Sequence, residues 1–262
     1  MSKISEAFKS GKAFIPYLMA GDPALDKTRE YILAMEKAGA DIIEIGIPFS
    51  DPIAEGDTIQ KANLRAFASG TSLDGIFEMA ASLKGEIKIP LLFMTYINPV
   101  FNYGRDEFFS RCAECGVSGI IIPDVPFEER EEVLAYTEKH GVELITLIAP
   151  TSPAERIGRI AGPARGYIYL VSSMGVTGVR SEISTDIAPI VAEIRRNTDI
   201  PVAIGFGISS PEQAREMAAE ADGVIVGSAI VNLLEQYGGD AAGHVAEYVR
   251  SMKEALLYSN SL

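Results

Sequence analysis

Residues 28–45 read TREYILAMEKAGADIIEI. Tyr31, Ile32, Met35 and Ala38 recur at helical spacing, giving 28–37 one apolar face, and Gly39 supplies a C-terminal stop. Directly afterwards Ile42-Ile43-Glu44-Ile45 is apolar at nearly every position, without the alternation of a half-solvated strand. Continuous hydrophobicity over a few residues marks a strand buried on both faces. A helix that stops at glycine and runs straight into such a strand is one step of a parallel α/β sheet.

The step recurs. Further apolar runs lie at 14–19, 91–94, 119–122, 144–148, 167–171, 202–204 and 224–226, making eight in all. Helical patterns cover 129–140, 187–196 and 211–221, and further glycine stops follow Cys115 and His140. Eight units in 262 residues is roughly 33 residues each, near the size of a βαβ element. Right-handed crossovers then allow a closed eight-stranded barrel or a doubly wound open sheet. The open sheet calls for a G-x-G-x-x-G turn after its first strand, whereas here Ala20-Gly21-Asp22-Pro23 follows. No Pro/Gly/Ser-rich linker divides the chain. The expected fold is therefore α/β, a single (β/α)8 TIM barrel with extra short helices, forming one domain over 1–262.

Composition narrows the function. Acidic residues outnumber basic ones, 36 to 23, for a net charge of −13. Such a surface repels phosphate backbones, so neither nucleic acid nor membrane is an expected partner. An anionic small molecule remains compatible if backbone amides hold it. Met1 to Lys12 carries charges and no apolar core, so it does not read as a signal peptide, and no apolar window is long enough to span a bilayer. Two cysteines make no disulfide framework. The expected location is the cytoplasm.

Chemistry in such a barrel belongs at the C-terminal ends of the strands. Glu44 stands in the middle of an apolar strand, where a carboxylate is costly unless paired or used. The loop that follows, Pro48 to Asp57, carries Asp51, Glu55 and Asp57. Paired carboxylates in a closed pocket suit acid/base work, one protonated and one ionised. In the last third, glycine-rich turns follow three successive strands: Gly175-Val176-Thr177-Gly178, Gly205-Phe206-Gly207 and Gly227-Ser228. They let backbone amides approach a phosphate, and a helix beginning at Ser228 adds its dipole. Cys112 and Cys115 have C-x-x-C spacing without a second pair, and read as small apolar residues on a buried helix end. His140 and His244 lie on helix ends, so neither a metal site nor a serine triad is expected. No lysine stands within a strand to form a Schiff base.

Glu44-Ile45-Gly46-Ile47-Pro48-Phe49-Ser50-Asp51-Pro52 resembles the tryptophan synthase alpha chain family. So do Gly21-Asp22-Pro23, Asn98-Pro99-Val100-Phe101-Asn102, Asp124-Val125-Pro126, Gly175 to Gly178, Gly205 to Gln213 and Gly227 to Val231, in the family's order. The resemblance implies retro-aldol cleavage of indole-3-glycerol phosphate to indole and glyceraldehyde 3-phosphate, in tryptophan biosynthesis. Glu44 matches the catalytic acid/base. Gly178, Gly207, Gly227 and Ser228 match the phosphate loop, Tyr17, Tyr169 and Phe206 match residues near the substrate, and Thr177 matches the threonine that closes the site. A beta chain is implied as partner in an alpha2beta2 complex, facing Asp51, Pro52, Asn98 and Pro126. Pyridoxal phosphate is expected only in that partner, with no cofactor in this chain.

One departure stands out. The family's second catalytic aspartate lies in A-D-G-P, whereas this chain has Ala54-Glu55-Gly56-Asp57. Glu55 keeps the carboxylate with one more methylene. Three outcomes are open: Glu55 serves after a loop adjustment, which is the preferred reading; Asp57 substitutes; or the isolated chain is a weak lyase. The alternative function is a regulatory barrel that activates the beta chain without cleaving substrate.

Overall fold

The computed structural model describes residues 2–172, 187–205 and 207–257. Eight parallel strands close into a barrel in sequence order. They are β1 (Ala13–Met19), β2 (Ile43–Gly46), β3 (Leu91–Met94), β4 (Gly119–Ile121), β5 (Glu143–Ile148), β6 (Ile168–Val171), β7 (Val202–Gly205) and β8 (Gly223–Val226). Every apolar run read as a strand is one, with ends displaced by a residue or two. The helices around them are α1 (Lys3–Glu6), α2 (Leu25–Ala38), α3 (Asp57–Ala68), α4 (Leu73–Leu83), α5 (Ile97–Tyr103), α6 (Arg105–Cys115) and α7 (Glu131–His140). They continue with α8 (Ala154–Ala161), α9 (Ala188–Asn197), α10 (Pro211–Glu220), α11 (Ser228–Tyr237) and α12 (Ala242–Leu257).

The helix stops fall where glycine placed them. Gly39 ends α2 at φ +109°, a conformation that side chains with a Cβ rarely adopt, and its N–H caps the carbonyl of Glu36. Cys112 and Cys115 are free and buried on the last turns of α6. The extra short helices are real: α1, α5 and the doubled helices after β2, β3 and β8 exceed the simple βα repeat.

Two packed layers result. Alternate strand residues point inward, among them Ile15, Leu92, Ile121, Ile145, Tyr167 and Ala203. The others face the helices in a larger outer core that includes Leu18, Ile45, Phe93 and Ile204. Ile4 of α1 is fully buried with the inner set, so this four-residue helix plugs the N-terminal end of the barrel. The open end is the opposite one, where the strands' C-termini converge.

One ion pair ties that open end together. Asp22, after β1, is almost fully buried, and Arg65 of α3 donates to both its oxygens at 2.7 and 2.8 Å. The same guanidinium lies 3.2 Å from Glu235 on α11. Removing one member of a buried pair strands the other without compensation, which costs more than the pair itself contributes. Arg65→Met is expected to lose about 3 kcal/mol in denaturant unfolding, and adding Asp22→Asn to recover part of that loss.

Candidate active site

A cavity of about 390 Å³ opens at the C-terminal ends of the strands. Glu44, Glu55, Tyr17, Tyr169, Gly207, Gly227 and Ser228 all line it. Residues as far apart in the chain as Tyr17 and Ser228 thus share one cavity. Thr177, Gly178 and Phe206 lie outside the described residues.

Glu44 sits in mid-β2, opposite Tyr17 of β1 and Leu92 of β3. It is 1% exposed, and its side chain points into the barrel. Tyr167, immediately before β6, donates its hydroxyl to Oε1 at 2.5 Å. Burial penalises the charged carboxylate and raises the pKa to about 8, and the Tyr167 hydrogen bond lowers it only in part. At neutral pH Glu44 therefore keeps its proton. Space at this level is made by glycines: a Cβ on Gly46 would lie 2.1 Å from the Tyr17 hydroxyl, and one on Gly205 2.3 Å from that of Tyr169.

Glu55 comes from the loop between β2 and α3. Gln60 of α3 donates to the Glu55 carbonyl at 2.8 Å, and two further side chains hold that loop. Asn63 of α3, itself 3% exposed, accepts from the Phe49 N–H at 2.9 Å and donates to Glu55 Oε2 at 2.5 Å. Tyr96, stacked near Phe49 with centroids 5.2 Å apart, accepts from the Ala54 N–H at 3.0 Å. Burial raises the Glu55 pKa to about 7, while the Asn63 amide lowers it in part. Asp57 is exposed at the first position of α3 and does not line the cavity. The geometry thus puts the longer carboxylate, not its neighbour, in the cavity that Glu44 lines.

The opposite side of the cavity has another character. Gly227 precedes α11, whose first turn begins at Ser228, and Gly207 follows β7. Amides at a helix N-terminus attract an anion without needing a lysine. Among the described residues, no three His, Cys, Asp or Glu side chains gather as a metal site. Nor is any helix there long and apolar enough to cross a membrane. His140 ends α7 beside Asp106, and His244 stacks on Tyr237.

Three residues of the site escaped the reading of the sequence: Tyr167, Asn63 and Tyr96. Signals for two of them existed. Tyr167 and Tyr169 are two apart in one apolar run and so share its inner face. Asn63 is the only polar member of the buried face Ile59, Ala62, Asn63 and Ala66. Nothing in the sequence marks Tyr96 beyond its place after β3.

The sequence profile described as "Tryptophan synthase alpha chain" matches residues 4–257. A tryptophan synthase alpha chain from Lacticaseibacillus casei is 46% identical over 256 residues, covering 98% of this chain and 96% of that protein. One from Lactiplantibacillus plantarum is 47% identical, covering 98% and 97%. Among solved structures, tryptophan synthase subunit alpha from Legionella pneumophila superposes with a TM-score of 0.86 at 34% identity, covering 98% and 99%. A chain of the tryptophan synthase a2b2 complex of Pyrococcus furiosus, described for its mutual activation, gives a TM-score of 0.85 at 33% identity, covering 93% and 99%.

The raised pKa of Glu44 has a consequence for stability. The folded protein retains a proton that the unfolded chain releases near its ordinary value of 4.5, so stability falls as pH rises from there to about 8. Glu44→Gln removes this penalty. Its melting temperature is expected to exceed that of the unmodified protein by about 5 °C or more at pH 8, and the gap to close towards pH 5.

Proposed function

Because the chain belongs to the tryptophan synthase alpha chain family, we propose that it is the lyase subunit that splits indole-3-glycerol phosphate into indole and glyceraldehyde 3-phosphate. One observation carries this reading. A buried, protonated Glu44 and a second carboxylate titrating near neutrality line one cavity, with glycines and a helix N-terminus across from them. The phosphate rests on the amides around Gly207, Gly227 and Ser228, with Gly178 completing the loop. The indole then lies among Tyr17, Tyr169 and Phe206, and Thr177 helps to close the site.

The chemistry is proton transfer. Tyr167 occupies one oxygen of Glu44 and leaves Oε2 for the substrate. From there Glu44 delivers its proton to C3 of the indole. Positive charge develops at the ring nitrogen, and the Glu55 carboxylate stabilises it through the N–H. Glu44, now ionised, accepts the proton of the adjacent glycerol hydroxyl as the carbon–carbon bond breaks. That bond's electron pair returns to the ring, releasing indole and the aldehyde. Asn63 holds Glu55 in reach despite the added methylene. No cofactor takes part in this chain; pyridoxal phosphate belongs to the partner.

That partner is a beta chain, and we read the assembly as alpha2beta2. Asp51, Asn98 and Pro126 are exposed and Pro52 is half-buried, on the loop after β2, on α5 and on the turn after β4. Ile53 is 74% exposed on the first of these and Phe101 43% exposed on α5. Apolar side chains of this size left in water mark a surface that another protein covers. Leu64 and Phe67 of α3 are exposed as well. We read the chain as one domain over 1–262, acting in the cytoplasm.

The test is release of glyceraldehyde 3-phosphate by the purified chain, alone and with a tryptophan synthase beta chain. Weak release alone and strong activation by the partner are expected. Glu44→Gln is expected to lower cleavage by on the order of a hundred- to ten-thousandfold while still binding glycerol phosphate. Absence of cleavage under both conditions, with stimulated condensation of serine and indole by the partner, would instead favour a purely regulatory barrel. The pH profile follows from the two carboxylates. The active form has Glu55 ionised and Glu44 protonated, so kcat/KM is expected to fall below about pH 7 and above about pH 8.

A further inference from the structure

The cavity does not stop at the barrel wall. Both Leu144 and Thr146, and both Ile145 and Leu147, line it. Successive strand residues point to opposite faces, so a cavity that touches all four passes from the inside of the barrel to the outside. The passage lies between β4 and β5. The β4–β5 ladder ends at Ile121 and Ile145, whereas β5 runs on beside β6 through Thr146, Leu147 and Ile148. β4 does not follow: Ile121 is its last ladder residue, and Pro123 and Asp124 already form a turn. The chain is drawn instead towards α5, where Asp124 accepts from the Ile97 N–H at 3.0 and 3.2 Å. The helix layer is thin at the same place: α6 packs on α7 and α8 on α9, but α7 and α8 share at most marginal contact. Leu144 and Thr146 are accordingly only partly buried, although they face the helices.

Topology says which end of the substrate meets this opening. In a closed ring of eight strands, β7 and β8 lie across from β3 and β4. With the phosphate held after β7 and β8, the far end of an elongated substrate reaches the β3–β4 wall. We propose that the opening between β4 and β5 is a subsite for an apolar substituent on the benzo ring, admitting indole-3-glycerol phosphates bulkier than the parent. The inference rests on the activity proposed above. Thr146 on β5 and Ile160 on α8 set the width, and Phe127 forms a flat outer wall. The cations nearby are already engaged: Arg130 covers the Phe127 ring at 4.4 Å, and Arg156 makes two bonds to Glu128 at 2.7 and 2.9 Å. An uncharged apolar group is what remains complementary.

The probe is 3-(indol-3-yl)propyl phosphate, which keeps ring and phosphate but lacks the hydroxyls needed for cleavage. Its 5-phenyl and 6-phenyl derivatives are titrated alongside it by calorimetry. At least one derivative is expected to bind within about tenfold of the parent, and Thr146→Phe to weaken that derivative by about tenfold or more while moving the parent by less than about twofold. Leu144→Phe narrows the same opening from one turn of the pleat below, and repeats the measurement if Thr146→Phe folds poorly. Both derivatives binding more than about a hundredfold weaker than the parent, or a ratio unmoved by both substitutions, would overturn the subsite. If none of the three ligands binds, the proposed activity fails and the subsite with it.

Discussion

A carboxyl group held out of water at the centre of a closed barrel governs the rest of this structure. Glu44 would be a strand defect if it were ionised, since burial of a lone carboxylate costs far more than one phenol hydrogen bond returns. Keeping its proton resolves the conflict and leaves a neutral carboxylic acid in the cavity at neutral pH. That state depends on closure. Tyr17 and Tyr169 flank it from β1 and β6, Tyr167 bonds to it, and the α1 plug with Ile4 helps to seal the opposite end from solvent. The barrel is the device that shifts the pKa.

The second carboxylate depends on a longer chain of constraints. Glu55 stands on an irregular loop, which by itself would place it poorly. Asn63 bonds the loop's backbone at Phe49 and the Glu55 side chain together, and Tyr96 holds Ala54. Asn63 is in turn carried by α3, which Arg65 anchors to the buried Asp22 and to α11. Since α11 also presents its N-terminus to the cavity, one helix-to-loop network relates the carboxyl side of the cavity to its glycine side. A net charge of −13 does not conflict with the anionic ligand proposed above, because oriented amides attract an anion without surplus cations.

The wall between β4 and β5 shows the same economy from the other side. The β4–β5 ladder stops at Ile121, the chain turns at Pro123, and Asp124 accepts from the Ile97 N–H at the start of α5. That turn also brings Pro126 to the surface, on the side where a partner protein is proposed to dock.

The sequence by itself determined the barrel. Eight continuous apolar runs separated by glycine-stopped helices admit few parallel architectures, and buried strands and helix caps are set by residues a few positions apart. Glu44 was legible for the same local reason, as a carboxyl group inside an apolar strand, and the glycine turns after β7 and β8 stood out as places of close backbone approach; Gly207 and Gly227 from them line the cavity. What the sequence left open was Glu55 against Asp57, and only the tertiary structure decided which of them lines the cavity. The deciding contacts come from Asn63, which reaches back over the loop once α3 has formed, and from Tyr96, 42 residues from Ala54 and brought to the loop only by folding. Tyr167 lies 123 residues from Glu44, and their 2.5 Å bond exists only because β2 and β6 face each other across a closed ring. Local pattern fixes which face of an element is buried; closure fixes which distant side chains that face will meet.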